Sequence, residues 1–299
     1  MRIAFSEVYH YQLPPKHRFP MAKYDLLPEQ LVYEGTATES SFFHPQLLAE
    51  RDLLLTHSPE FWRKLQTLSL SRREVRDIGF PLSRKLVTRG RHIAQGTLDC
   101  ARHARREGVA LNVAGGTHHS FRDRGEGFCV FNDIAIAANV LLRDGEAERI
   151  LVVDLDVHQG NGTAKLFEGR PEVFTLSYHG ERNYPLRKEV SDLDVGWADH
   201  TGDEAYLTRL RAELPRVIEA HEPDLVFFLS GVDVLEADKL GRLSMSVDGC
   251  RERDSIVLGE CYDRNLPVAV CMGGGYAERL ATIVEAHANT YRVAKQLYD

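Results

Sequence analysis

The chain has 299 residues, of which 43% are hydrophobic and 27% charged, so it can bury a large core and is excluded from the intrinsically disordered class. Its 37 basic and 44 acidic side chains leave a net charge of −7 without any block of like charges, which argues against direct nucleic-acid binding; mild acidity aids solubility and could draw a cationic ligand to the surface. No stretch reaches the roughly 18 apolar residues of a membrane span, no apolar signal segment opens the chain, and five cysteines form no CxxC pair, so the expectation is a cytoplasmic protein with no membrane partner.

Taken in order, residues 10–80 contain several prolines and little periodicity, and read as a strand followed by short helices and loops packed on a sheet. From there the pattern is regular. Helical spacing over 83–107 leads into the apolar run Val109 to Val113, and a second helix over 133–143 precedes the run Arg149 to Leu155. Val173 to Ser177, Asp224 to Ser230 and Pro267 to Met272 are further apolar runs, separated or followed by helical patterns over 203–221, 248–264 and 276–296. Runs without polar alternation predict strands covered on both faces, and their alternation with helices predicts an open, doubly wound parallel sheet. No repeat or linker divides the chain, so one domain over 1–299 is expected.

In such sheets ligands bind beyond the carboxyl ends of the strands. The strand Ile150-Leu-Val-Val-Asp-Leu-Asp-Val-His158 runs into Asp154, Asp156 and His158 at a spacing of two, which places all three on one side of an extended backbone. A second apolar strand ends in the same manner at Asp233. Charges at the end of a buried strand need a partner or a metal. Two carboxylates and an imidazole leave a coordination position open, which is the logic of catalytic zinc; capping aspartates with a hydrogen-bonded histidine are the plainer alternative. The pair His118-His119 follows Ala114-Gly-Gly-Thr at another strand end, where two imidazoles can act as base and acid.

Five ordered motifs carry a resemblance: Gly115-Gly-Thr-His-His-Ser, Gly125-Glu-Gly-Phe-Cys-Val-Phe-Asn-Asp133, Asp154-Leu-Asp-Val-His-Gln-Gly-Asn-Gly162, Gly231-Val-Asp233 and Gly273-Gly-Gly-Tyr276. Together they resemble the zinc-dependent histone deacetylases over roughly residues 85 to 295, and the N-terminal Lys16 to Tyr24 and the Asp238 to Ser246 stretch look closest to the class IV branch and its bacterial relatives. The resemblance implies a three-layer α/β/α fold with a central, mostly parallel sheet of the arginase/deacetylase type. It implies a deacylase acting on acylated lysine in a protein or peptide, or on an acylated small amine such as an acetylpolyamine.

Carried over by motif, Asp156, His158 and Asp233 resemble the zinc ligands, His118 and His119 the tandem active-site histidines, and Tyr276 the tyrosine that polarises the scissile carbonyl. Gly127 and Phe128 resemble one wall of an acyl-lysine tunnel, and Tyr184 part of the opposite wall. Asp154 resembles a carboxylate that orients the first histidine and helps to hold a potassium ion, together with Ser177 and backbone carbonyls of Asp156, His158 and Tyr178. One position departs from many members: the usual Asp behind the second histidine is here Asn161, which should leave His119 more readily neutral. A binuclear manganese hydrolase resembling arginase needs more carboxylates than Gln159-Gly-Asn161 and Val234-Leu-Glu236 provide. A non-catalytic acyl-lysine binder is the rival from another class, and zinc-dependent turnover separates it from the hydrolase.

Overall fold

A computed structural model describes residues 1–299. Eight strands form one sheet in which every pairing is parallel: β1 (Arg2–Ala4), β2 (Phe42–Phe43), β3 (Val109–Asn112), β4 (Ile150–Asp154), β5 (Val173–Gly180), β6 (Leu193–Trp197), β7 (Leu225–Leu229) and β8 (Val268–Cys271). Their spatial order is β2-β1-β3-β8-β7-β4-β5-β6, so β8, the last in chain order, is inserted between β3 and β7. All residues of β3, β4, β7 and β8 are buried, which explains their unbroken apolar runs.

Helices cover both faces. On one side α5 (Arg84–Glu107) packs against α6 (Asp133–Arg143), with α2 (Glu50–Leu53), α3 (Pro59–Thr67) and α7 (Asn161–Phe167) beside them. On the other, α1 (Lys23–Tyr33), α10 (Leu280–Tyr298), α9 (Val247–Asp263) and α8 (Asp203–His221) form a row of neighbours, while α4 (Arg72–Ile78) leads towards the site. Local sequence sets the helix ends. Ser83 caps α5 by accepting from the Leu86 amide, and Gly108 ends it at φ +86°, a conformation that glycine adopts without a Cβ clash. The expected strand near the N-terminus lies at residues 2–4, ahead of the 10–80 region, which instead holds α1 to α4 and the two-residue β2.

Register brings the strand ends level. Asp154 pairs with Leu229 on one side and Ser177 on the other, and Leu229 pairs with Cys271. The segments that follow β3, β4, β7 and β8 therefore emerge side by side. No helix is long and apolar enough to cross a membrane.

Candidate active site

Beyond β4 and β7 the chain delivers three buried side chains to one point: ligand atoms of Asp156, His158 and Asp233 all lie within 4.8 Å of one another. Backbone amides fix the carboxylates. Val157 N donates to Asp233 Oδ1 at 2.9 Å, and Gly274 N donates to Asp156 Oδ2 at 2.9 Å. His158 Nδ1 faces Asp156 Oδ1 at 3.0 Å and Asp233 Oδ2 at 3.1 Å. The cradle tolerates no side chain at residue 274, where a Cβ would stand 2.1 Å from Asp233 Oδ2 and 2.7 Å from Asp156 Oδ2. Although burial disfavours a charged imidazole, the two carboxylates lift the His158 pKa to about 10, so this donor set attracts a cation.

The histidine pair stands beside this set with ring centroids 4.1 Å apart, and two different partners divide its electrostatics. His118 Nδ1 donates to Asp154 Oδ2 at 2.7 Å; burial alone would lower its pKa, but the carboxylate overrides burial and raises it to about 8. His119 Nδ1 donates to Asn161 Oδ1 at 2.7 Å, and the amide brings no charge. Burial, followed by the positive rings of His118 and His158, holds His119 well below its ordinary value. Near neutrality His118 is protonated and His119 is not.

Tyr276 joins from the loop after β8, its ring centroid 6.3 Å from that of His158. Burial and the Asp233 and Asp156 carboxylates keep its phenol protonated. A cavity of about 310 Å³ runs past His119, His158 and Tyr276 and is lined by Gly127, Phe128 and Tyr184, so the three expected tunnel residues meet there. The Tyr184 ring stands edge-on to His119 at 4.9 Å, and its hydroxyl donates to Glu126. Phe128 adopts φ +67°, a conformation held by hydrogen bonds from Gly127 N to Asp77 O and from Phe128 N to Ile78 O. Ser177 lies beside Asp154 in register, whereas the Tyr178 hydroxyl donates to Glu213 at 2.6 Å and its side chain takes no part here.

Several supporting residues have no role assigned from sequence, although Lys23, Asp238 and Asp133 lie in stretches that resemble the family. Lys23, in α1, is buried and donates from Nζ to Gly273 O at 3.0 Å, with its ammonium 5.5 to 5.8 Å from the ring centroids of Phe19, Tyr24 and Tyr276. Burial lowers its pKa to about 8. Asp238 accepts from Tyr276 N at 2.6 Å, which fixes the backbone of that tyrosine. Asp133, inside a recognised motif, accepts from Thr117 N at 2.8 Å and Gly116 N at 3.2 Å and so sets the loop that ends in His118. Arg253 is fully buried and donates to Leu155 O and Gly231 O, tying together the two loops that carry Asp156 and Asp233. Two other histidines lie away from the mouth: His17 is hydrogen-bonded to Gly79 O and packs behind Phe128, and His179 is buried beside Ser177.

An all-parallel α/β sandwich with this cluster at its strand ends is an arginase/deacetylase-type architecture. A histone deacetylase domain matches residues 17–291, and the chain belongs to the histone deacetylase family. It is 40% identical to an uncharacterized protein of Picosynechococcus sp., over 99% of this chain and 100% of the other. It is 29% identical to Histone deacetylase 2 of Arabidopsis thaliana, over 90% of this chain and 72% of the relative. In fold it superposes on the crystal structure of an HDAC homolog complexed with SAHA with a TM-score of 0.86 and 24% identity, covering 99% of this chain and 84% of that one.

Proposed function

We propose that the chain is a zinc-dependent deacylase that hydrolyses the amide of acyl-lysine, acetyl-lysine first among the acyl forms. The observation that carries this reading is the convergence of Asp156, His158 and Asp233 on one point beside a cavity that His158 lines together with His119 and Tyr276. Two carboxylates and one imidazole fit zinc, and the glycine cradle at residue 274 leaves the carboxylate oxygens clear. When bound, zinc supplies Lewis acidity toward the amide carbonyl and toward water. The chain's own groups do the rest. Neutral His119, its Nδ1–H committed to Asn161, presents Nε2 to take a proton from the attacking water. As the new C–O bond forms, the Tyr276 hydroxyl donates to the developing oxyanion. Protonated His118, backed by Asp154, gives its proton to the leaving amine as the C–N bond breaks. Histidines pushed apart in this manner supply a base and an acid at one pH.

Phe128 and Tyr184 provide apolar surface for the lysine stem. Potassium, expected from the resemblance, would be held by Asp154 and its register neighbour Ser177 together with the backbone carbonyls of Asp156, His158 and Tyr178. A single deacetylase domain over 1–299 is supported by the family match to 17–291, and five free, buried cysteines suit a cytoplasmic setting. The test is turnover of a fluorogenic acetyl-lysine peptide by zinc-loaded and metal-stripped protein. Activity that appears only with zinc is expected; full activity of the stripped protein overturns the zinc role, and zinc uptake without turnover favours a binder.

A further inference from the structure

The whole chain carries a net charge of −7, yet the cavity mouth has the opposite character. Three arginines line it, Arg18, Arg182 and Arg242, against one carboxylate, Asp77. Asp77 already has a cation in Arg73, at 3.7 Å. Arg182 and Arg242 share Asp199, with Nη1 to Oδ2 distances of 3.7 and 3.2 Å, so that pair keeps one positive charge in excess. Arg18 forms no ion pair; its guanidinium lies 5.0 Å from the centroid of the Phe128 ring, over the tunnel wall. Lys188 donates to the carbonyls of Asn183 and Pro185 at 2.7 and 2.6 Å, which fixes the loop that carries Arg182 and Tyr184.

We infer that the substrate carries anionic groups next to its acylated amine: an acyl-lysine flanked by acidic residues in a peptide, in preference to a basic peptide or an acylated polyamine. This rests on the deacylase reading above. An acyl-lysine that threads its stem between Phe128 and Tyr184 leaves its backbone and neighbouring side chains among the three arginines. Arginine forks bind carboxylates in two-point contacts, whereas a second ammonium in the substrate meets like charge and must also be desolvated. A polyamine, whose remaining amines are protonated at neutral pH, is therefore disfavoured at this mouth.

The experiment compares kcat/KM on zinc-loaded protein for acetyl-lysine peptides with glutamate, alanine or lysine flanks, for acetyl-lysine as a free acid and as its amide, and for N-acetylputrescine. At about 20 mM salt the glutamate peptide should exceed the lysine peptide by roughly fivefold or more, and at about 0.5 M salt the two should agree within about twofold. Replacing the arginines by R18Q, R182Q and R242Q together should abolish the low-salt preference. Free acid favoured over amide, without an effect of peptide flanks, assigns the anion to the substrate's own carboxylate and still supports a cationic reader. Lysine flanks or acetylputrescine favoured at low salt overturn the inference while the deacylase reading stands. The salt series on the unaltered protein decides even if the triple variant does not fold. No turnover of the alanine peptide or any other panel member overturns both.

Discussion

Asn161 is the residue at which proton transfer can be tested most directly. An Asp in its place sets a carboxylate 2.7 Å from His119 Nδ1, which favours the imidazolium and raises the pKa of that ring. A base works only in its neutral form, so in N161D the acidic limb of kcat/KM should move to higher pH and activity near neutrality should fall; a limb that stays put, with zinc content intact, would remove His119 from the base role. Y276F should retain zinc and lower kcat by about 10²–10³ with little change in KM, because the hydroxyl acts on charge that appears in the transition state. His158, with its pKa lifted to about 10, enters the metal-free site as imidazolium at pH 7.5. Zinc binding should therefore release about one proton, read as a dependence of calorimetric binding enthalpy on buffer ionisation heat. Asp156 and His158 are legible as candidate ligands from their spacing of two at the end of one apolar strand, and Asp233 from the end of a second; their convergence is what the structure adds. The supporting roles of Lys23, Asp238 and Arg253 are not legible: the first two lie in stretches that resemble the family, but no local pattern shows that packing brings Lys23 to Gly273 O, Asp238 to Tyr276 N or Arg253 into the core.

Elements show the same division. Five of the six interior strands, β3, β4, β5, β7 and β8, and the long helices match the sequence reading with small boundary shifts, since burial and 3.6-residue spacing leave strong patterns. β2 and β6 were missed: two residues give no period, and in Leu193–Trp197 only Val195 is buried. α7 was missed because it starts at Asn161, directly after the loop that carries Asp156 and His158, and its Asn-Gly-Thr opening resembles a turn. In α9 the run Arg251 to Asp254 looks like a solvated face, yet Arg253 and Asp254 form a fully buried pair at 2.7 Å. Truncating one member strands the other: R253M should lose about 3–5 kcal/mol in urea unfolding. Adding D254L should recover much of that stability without recovering zinc affinity, because the tether to Leu155 O and Gly231 O remains cut.

At the scale of the molecule, one route by which pH acts on stability is His57, which is fully buried between Phe121 O and the Asn132 amide. Burial lowers its folded pKa from 6.5 to about 4. Between those values His57 binds more protons in the unfolded chain than in the folded one, so its contribution to stability falls as pH drops from about 6.5 to 4, by up to about 3 kcal/mol, and levels off below. Urea midpoints measured across this window should slope less steeply in H57Q than in the unaltered chain. The strand order has a kinetic consequence as well. With β8 absent, the sheet is two separate halves, β2-β1-β3 and β7-β4-β5-β6, each ending in an unpaired edge. The histidine pair follows β3, the three candidate ligands follow β4 and β7, and Tyr276 follows β8, so the site lies across that seam. On a ribosome the strand that joins the halves is translated last, and until then both edges are open to pairing with other chains. The residues of the site are therefore brought together only when the last of the eight strands closes the sheet, so the final strand completes both the fold and the candidate site.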